Sequence, residues 1–413
     1  MDQSPEKRDL QKKGMNKRLF LVLCLLFVLL PLLTFGLSKW DFIQWDFPGY
    51  YFAAKSHAMG DNPYDTELVS QRAGAKVYEY GYPPNSLFFF RPFTSFDYEF
   101  GNRLYFSLKI VLLFALIYLW GNGFLRRRID FFFFPFCILA YNAAAMGDIA
   151  AGNVSIIEQF FLWWGFYFFL EKKFVIFSLF VVGAAAFKIT PMLFILLLWY
   201  SERGKRGFYF SVGALAFVAY LLSPMIFSPE IFQNHVENMS VVFSHSYDRG
   251  LNNPSTFAFV KDVLDIIERQ VGVQLAWWVD YGVFILIVAA IIGLSVKALD
   301  IMADSKNIEG RMGMVFFACL TYALISPRFK GYSYMLLILP TYYLLKRIEL
   351  KRFYPYILIL FCFVIPGLTK EVNLFSLIGY YPLAMAYGVW TIYLYFILRH
   401  ATRKSYFWSP TPE

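Results

Sequence analysis

The sequence predicts an all-α integral membrane protein: a bundle of about twelve transmembrane segments, some short or broken, with two outer-face loops carrying amphipathic helices. Three observations carry this. Only 16% of the 413 residues are charged while 58% are apolar, and mean hydropathy is +0.49; soluble domains hold about 25% charge. Apolar stretches of about 20 residues, the length that crosses a bilayer, recur from end to end. Finally, the basic residues fall on alternate connections, as orientation in a membrane requires.

The elements follow in order. A basic arm, "EKRDLQKKGMNKR" within residues 1–18, precedes an apolar run with no convincing small-residue cleavage site, which reads as a retained first span over 19–38. Further spans are expected at 102–120, 129–146, 154–170, 174–187, 190–200, 207–227, 276–296, 313–326, 331–345, 353–366 and 376–398. The polytopic region thus covers 19–398, and 399–413 is a tail. With both termini cytoplasmic, the inner connections hold 24 Lys and Arg, whereas the short outer loops hold only Lys188, Arg328, Lys330 and Lys370. The net charge of +9 therefore reports orientation and contact with anionic lipid, not nucleic acid.

Two outer loops, 39–101 and 228–275, are long enough to hold structure. In the first, "DFPGYYFAAKSHAMG" reads as a three-turn helix with Asp46 as N-cap, Pro48 in the first turn and Gly60 as the stop. Its Phe47, Tyr51, Ala54 and Ala58 share a face suited to the membrane surface. In the second, 230–243 and 255–270 show helical spacing around the break "DRGLNNPS". The stretch "AAAFKITPMLF" places Lys188 and Pro191 inside continuous apolar sequence, so two short segments should meet at Lys188. Broken helices persist where the freed backbone lines a cavity or is buried in protein, and a cavity opening outward near Lys188 is expected.

Asp46 either caps its helix or also serves as a general base at the cavity rim, and the two readings are compatible; Asp41 is its close competitor. Lys188 either snorkels to the interface or neutralises an anionic headgroup, and Arg328 and Lys330 in "SPRFKGYSY" offer the same choice. Cations in short outer loops run against the positive-inside bias, which favours a phosphate site. Asp148 in "MGDIAAGN" is a lone acid of an outer turn, either a secondary acid or an ion partner of those cations. Tyr50, Tyr82, Asn253 and His245 are candidates for substrate contact, although His245 and Asp248 read first as polar loop residues. Cys24, Cys137, Cys319 and Cys362 lie far apart inside spans, and neither they nor the four histidines show metal-ligand spacing. No Walker loop, nucleotide fingerprint, nucleophile elbow or zinc helix is present.

The run "WDFPGYYFAAKSHAMGDNPYD" resembles the first outer loop of GT-C superfold polytopic glycosyltransferases of family 87. "YGYPPNSLFFFRP", "AGNVSIIEQF", "GAAAFKITPMLFILLLWY", "GLNNPSTFAFVKDVL" and "SPRFKGYSYMLLILP" follow in the family's order across residues 40–340. The sequence departs from that pattern at Asn153 and at Pro254, where glutamine is expected. The resemblance implies inverting transfer of mannose or a similar hexose, or a pentose, from a polyprenyl-phosphate donor to a lipid-linked or glycan hydroxyl on the outer face of the cell membrane. By position Asp46 matches the family's base and Lys188 the lysine of its K-x-T-P stretch. No cofactor is implied; Mg²⁺ would suit the phosphate, but no acidic cluster asks for it. A polytopic transporter or lipid flippase is the rival reading, against which stand the absence of a visible inverted repeat and both large loops on one face.

Overall fold

The computed structural model describes residues 44–403 apart from 127–128, 202–203, 246–247, 273, 277, 304–306, 348–353 and 365–373. The arm, the span at 19–38, Asp41, Cys24 and the end of the tail lie outside the described residues. The described chain is helical, with no strand among those residues. The first helices are α1 (Phe47–Ala58), α2 (Thr66–Ala73) and α3 (Ser86–Phe90), followed by α4 (Tyr98–Leu119), which ends in a π-turn, Trp120–Phe124. Next come α5 (Phe133–Ala151), α6 (Ser155–Leu170), α7 (Phe174–Ala185), a 3₁₀ segment (Thr190–Tyr200), α8 (Arg206–Phe227), α9 (Pro229–His245) and α10 (Thr256–Val271). The remainder is α11 (Trp278–Ala303), α12 (Ile308–Ile325), a 3₁₀ turn (Gly331–Leu337) running into α13 (Ile338–Arg347), α14 (Tyr354–Phe361), and a 3₁₀ turn (Leu374–Tyr380) running into α15 (Tyr381–Arg403).

Helices fall where apolar sequence predicts them, and among the described residues six are long and apolar enough to cross a membrane: 98–124, 133–151, 206–227, 278–303, 308–325 and 377–399. The protein is a multi-pass membrane protein. Three more of the expected segments, 155–170, 174–185 and 190–200, are apolar but shorter. At 1.5 Å per residue the 16 residues of α6 reach about 24 Å and the 12 of α7 about 18 Å, against a hydrocarbon core of about 30 Å. Protein surrounds α6, whose Trp163, Phe166 and Phe169 are buried, whereas α7 buries Phe177 and Val181 on one side and exposes Val175, Ile176 and Leu179 on the other. In α8 and α11 the opposite holds. Leu215, Ile226 and Phe227 on the first and Ile285 and Leu286 on the second are exposed, as expected of side chains facing lipid.

The chain breaks between Ala185 and Thr190, as the Lys188–Pro191 pair predicts. A second break was not foreseen. Within α5, Tyr141, Asn142 and Ala143 all have positive φ (55°, 61° and 52°), so the helix is two pieces joined by a left-handed turn. Such a turn costs about 1–2 kcal/mol per residue and persists only where its surroundings fix it. Here the Tyr141 hydroxyl is 2.6 Å from Thr341 Oγ1, and its ring packs on Tyr334 and Phe361. In α8, Pro224 removes the donor for the Tyr220 carbonyl, and Asn85 Nδ2 (3.1 Å) and Ser223 Oγ (2.7 Å) donate to it instead. That contact seats the "YPPNSL" segment against α8.

The helix expected to lie on the membrane surface is instead buried. Phe47, Tyr51 and Ala54, of the face expected to meet the membrane, are inaccessible, as are Tyr50, Ala53 and Ser56, whereas Ala58 of that face is exposed. A cluster of Phe47, Tyr50, Tyr51, Tyr80, Phe90, Phe93 and Tyr105 encloses it, with the Phe47 and Tyr105 rings stacked at 4.6 Å. That protein and not membrane covers this face has a simple cause. Alanine and tyrosine tolerate either setting, and only the aromatic residues of 80–93, distant in sequence, decide between them.

Candidate active site

The segment ahead of α1 is seated on the end of α5. Gln44 N donates to the Ala150 carbonyl (2.7 Å) and Asp46 N to that of Ala151 (2.9 Å). Gln44 has φ 63°, and its side-chain amide holds Asn102 on α4, at 3.1 Å from the carbonyl and 2.6 Å from Oδ1. Gly152 closes α5 at φ +69°, where a Cβ would stand 2.6 Å from Gln44 Cβ and 2.8 Å from its Cα. Glycine is required twice over, for its conformation and for the approach of the chain that carries Asp46. Gly152→Ala should therefore cost about 2–4 kcal/mol and depress activity, read by thermal unfolding in detergent alongside turnover. A variant that melts like the wild type would mean that 44–46 does not rest there.

Asp46 occupies the N-cap position of α1, but its side chain makes no capping hydrogen bond. The carboxylate instead turns across the chain. Its Oδ2 accepts from Asn153 Nδ2 (2.7 Å) and, more weakly, from the Tyr50 hydroxyl (3.4 Å). Asn153 Nδ2 also lies 3.2 Å from the Tyr50 hydroxyl and 3.1 Å from that of Tyr82, and the two hydroxyls are 2.9 Å apart. Among the described residues no cation lies within ion-pair distance of Asp46. Burial pushes its carboxyl above the usual aspartate range, and the Asn153 amide and the Lys330 ammonium pull it only part of the way back. Burial, and then the Asp46 charge, hold the Tyr50 and Tyr82 phenols well above their ordinary value, so both stay neutral.

Beneath this group lies a pair of ions with no exposure. Lys109 of α4 is 2.9 Å from Asp148 of α5, and it also donates to the Asp148 backbone carbonyl. The Asp148 carboxylate accepts from the amides of Ser155 (3.0 Å) and Ile156 (3.4 Å) at the start of α6. Asp148 is thus not the lone acid of an outer turn, and its ion partner is none of the loop cations. Apolar sequence continues on both sides of it, which makes the site interior, and it ties α4, α5 and α6 together.

The three predicted cations do converge. Lys188 lies 5.4 Å and Lys330 6.0 Å from the centre of the Tyr332 ring, and Arg328 Nη2 (3.1 Å) and Lys330 Nζ (3.0 Å) both reach Asp248 Oδ2. Burial alone would raise the Asp248 carboxyl; Lys330 and Arg328 outweigh it and hold the group below its usual range. Lys188 does not simply snorkel: it pairs with Glu158 (2.8 Å) and donates to Ser155 Oγ (2.7 Å). Asp248, expected to be an ordinary loop residue, is in fact the carboxylate that bridges two of the cations.

Of the candidate substrate contacts, Tyr50 and Tyr82 stand beside Asp46. Asn253 does not join them: it is buried and its Oδ1 accepts from Phe329 N (2.8 Å), which holds one loop to the next. His245 ends α9, and its side chain lies outside the described residues. Lys109, Glu158 and Tyr332 went unnoticed in the sequence. The first two left a signal, being lone charges within apolar helices, where an ionisable group needs a partner. Four such charges, Lys109, Asp148, Glu158 and Lys188, resolve into two pairs.

Residues 80–327 match the family model described as Glycosyltransferase family 87. The chain belongs to glycosyltransferase family 87. No curated protein matches it, and no solved structure does. The family-87 match takes in Tyr82, Asp148, Asn153, Lys188, His245 and Asn253, while Asp46 and Tyr50 lie ahead of it and Arg328 and Lys330 just past its end. This family-87 chain is accordingly a glycosyltransferase built into a multi-pass membrane protein, and it is the fold that brings the residues outside the match to those within it.

Proposed function

We propose that the enzyme transfers a sugar from a polyprenyl-phosphate donor to a hydroxyl of a lipid-linked or glycan acceptor, with inversion, at the outer face of the cell membrane. The observation that carries this is a half-buried, hydrogen-bonded carboxylate without an ion partner among the described residues, which feels the charge of Lys330, one of two cations over the Tyr332 ring, Arg328 sharing Asp248 with it. In one step the acceptor hydroxyl gives its proton to Asp46 and its oxygen bonds to the anomeric carbon. The bond from that carbon to the phosphate oxygen breaks, and polyprenyl phosphate leaves. Base and leaving group act on opposite faces of the ring, as in inverting hydrolysis, so no covalent intermediate is needed. Lys188, Arg328 and Lys330 stabilise the departing phosphate by charges that are already in place. The neutral phenols of Tyr50 and Tyr82 can donate hydrogen bonds to sugar hydroxyls but cannot take a proton near neutrality, whereas the Asp46 carboxylate beside them can.

The test is transfer of labelled sugar from a panel of polyprenyl-phosphate sugars, hexoses and pentoses, to membrane lipids by protein purified into lipid. Turnover with one donor names the sugar class. No turnover with any donor, in the presence of total lipid extract as acceptor, would remove the reading.

A pH profile checks the base. Asp46 works as the carboxylate and burial raises its pKa, so kcat/KM should be flat at higher pH. It should fall on acidification through an apparent pKa above the ordinary aspartate value of about 3.9. An acid limb at the ordinary value would mean that the base is an exposed carboxylate elsewhere.

A further inference from the structure

The side-chain amide of Asn153 can be built in two orientations, and only one gives Asp46 a hydrogen bond. In the other, Oδ1 would face the carboxylate, lone pair against lone pair. Tyr50 and Tyr82 do not choose between them, since a hydroxyl both donates and accepts. Two other neighbours do. Ser155 Oγ is 3.2 Å from Asn153 Oδ1, and Lys188 Nζ is 2.7 Å from the same Ser155 Oγ. An ammonium only donates, so Ser155 Oγ accepts from Lys188 and has its own hydrogen free for Asn153 Oδ1, while the ionised Asp46 carboxylate, which only accepts, takes the NH₂. That leaves the Asn153 NH₂ turned to Asp46. The backbone around Asn153 is equally fixed: its N–H donates to the Asp148 carbonyl (3.2 Å), and its carbonyl accepts from the Tyr105 hydroxyl (3.2 Å).

We propose that Lys188, Ser155 and Asn153 form a directed hydrogen-bond relay that orients and tunes Asp46, with Asn153 and Ser155 as positioning residues for the transfer reaction. This rests on the reading of Asp46 as the base. The relay makes Lys188 serve both halves of the site, the phosphate side through its charge and the acceptor side through Ser155. It also gives a reason for the Glu158–Lys188 pair, which holds the ammonium on the α6 side where it can reach Ser155.

The other groups facing Asp46 are Tyr50 on its own helix, Tyr82, Tyr105 and Lys109 on α4, Asp148 on α5, and Lys330 and Tyr332 beyond α12. Changing Asn153 or Ser155 removes none of these groups, although Tyr50 and Tyr82 lose their contact with the Asn153 amide in Asn153→Ala; Ser155→Ala keeps that contact, so the limb positions of the two variants together read the relay. In Asn153→Ala the limb should move up by about one pH unit, because the hydrogen bond that favours the charged form is gone. In Ser155→Ala, which leaves the amide but frees its orientation, the limb should move up by about half a unit, with the donor KM changed less than twofold. Partial unfolding lowers the height of a profile but does not shift its limb, and Ser155→Ala carries the test if Asn153→Ala fails to fold. Limbs at the wild-type position in both variants would overturn the relay. A shift in Asn153→Ala with none in Ser155→Ala would overturn the part assigned to Ser155 and Lys188. The base reading fails by a different sign: Asp46→Asn stays active and the wild-type limb does not depend on it, and the relay then falls too.

Discussion

Asp46→Asn should reduce sugar transfer by about 10²- to 10⁴-fold with little change in donor KM, the range over which a positioned general base contributes. That corresponds to about 3–5.5 kcal/mol of transition-state stabilisation. The substitution is nearly isosteric. An asparagine at 46 can still accept from Asn153 Nδ2 through its own carbonyl oxygen, and no capping bond is lost because the Asp46 side chain makes none. Folding should therefore survive, and thermal unfolding should match the wild type within a few degrees. What the amide cannot do is take the acceptor's proton. The remaining activity would come from substrate positioning and from the cations on the phosphate side, which the substitution leaves intact. A loss smaller than about tenfold, in a variant that still binds donor, would move the base away from Asp46. Asp148 would be a poor successor, since its carboxylate is engaged by Lys109 and two backbone amides; Asp41 would be the first to try.

The buried Lys109–Asp148 pair should show the largest stability effect. Removing one partner of a fully buried pair leaves an uncompensated charge, which costs about 3–5 kcal/mol. Lys109→Met and Asp148→Asn should each lower stability by that order. Asp148→Asn should be the more damaging of the two. It strands the ammonium with a backbone carbonyl, whereas Asp148 without Lys109 keeps the Ser155 and Ile156 amides. The double variant Lys109→Met/Asp148→Asn should be more stable than the sum of the two losses, because it leaves neither charge buried alone. Chemical denaturation in detergent of the four proteins closes the cycle. Additive losses would mean that the pair is not coupled, contrary to its 2.9 Å separation. Both single variants should also lose transfer, since the turn at 152–154 that presents Asn153 is held between Asp148 and Tyr105.

Much of the site was legible one residue at a time. The acid behind an aromatic pair, the lysine before a proline in apolar sequence, and the cations in short loops all carry local signals, and the structure gathers Asp46, Lys188, Arg328 and Lys330. The helices at 229–245 and 256–271 likewise begin and end within two residues of the spans that helical spacing predicts. Their partners were not legible. Asn153 meets Asp46 across 107 residues of sequence, and Lys109 meets Asp148 across 39. Nothing in "AGNVSIIEQF" distinguishes an asparagine that ends a helix from one that orders a carboxylate. Asp148 was misplaced for the same reason: a lone acid next to glycine reads as a turn until the lysine that neutralises it is found on another helix.

The sequence by itself determined a helical chain in a membrane, the positions of most of the long helices among the described residues, and the break at Lys188, but not the short helices at 66–73 and 86–90. Those follow from local rules: apolar length, helical period, proline and glycine, and the bias of basic residues. Tertiary structure alone decided how many apolar helices are long enough to span, which face of α1 is buried, and what each charge is paired with. A phenylalanine is equally content against lipid or against another helix, so hydrophobicity cannot tell a spanning helix from one enclosed by protein. A buried charge is tolerable only beside its counter-charge, and that partner is supplied by the packing of distant segments.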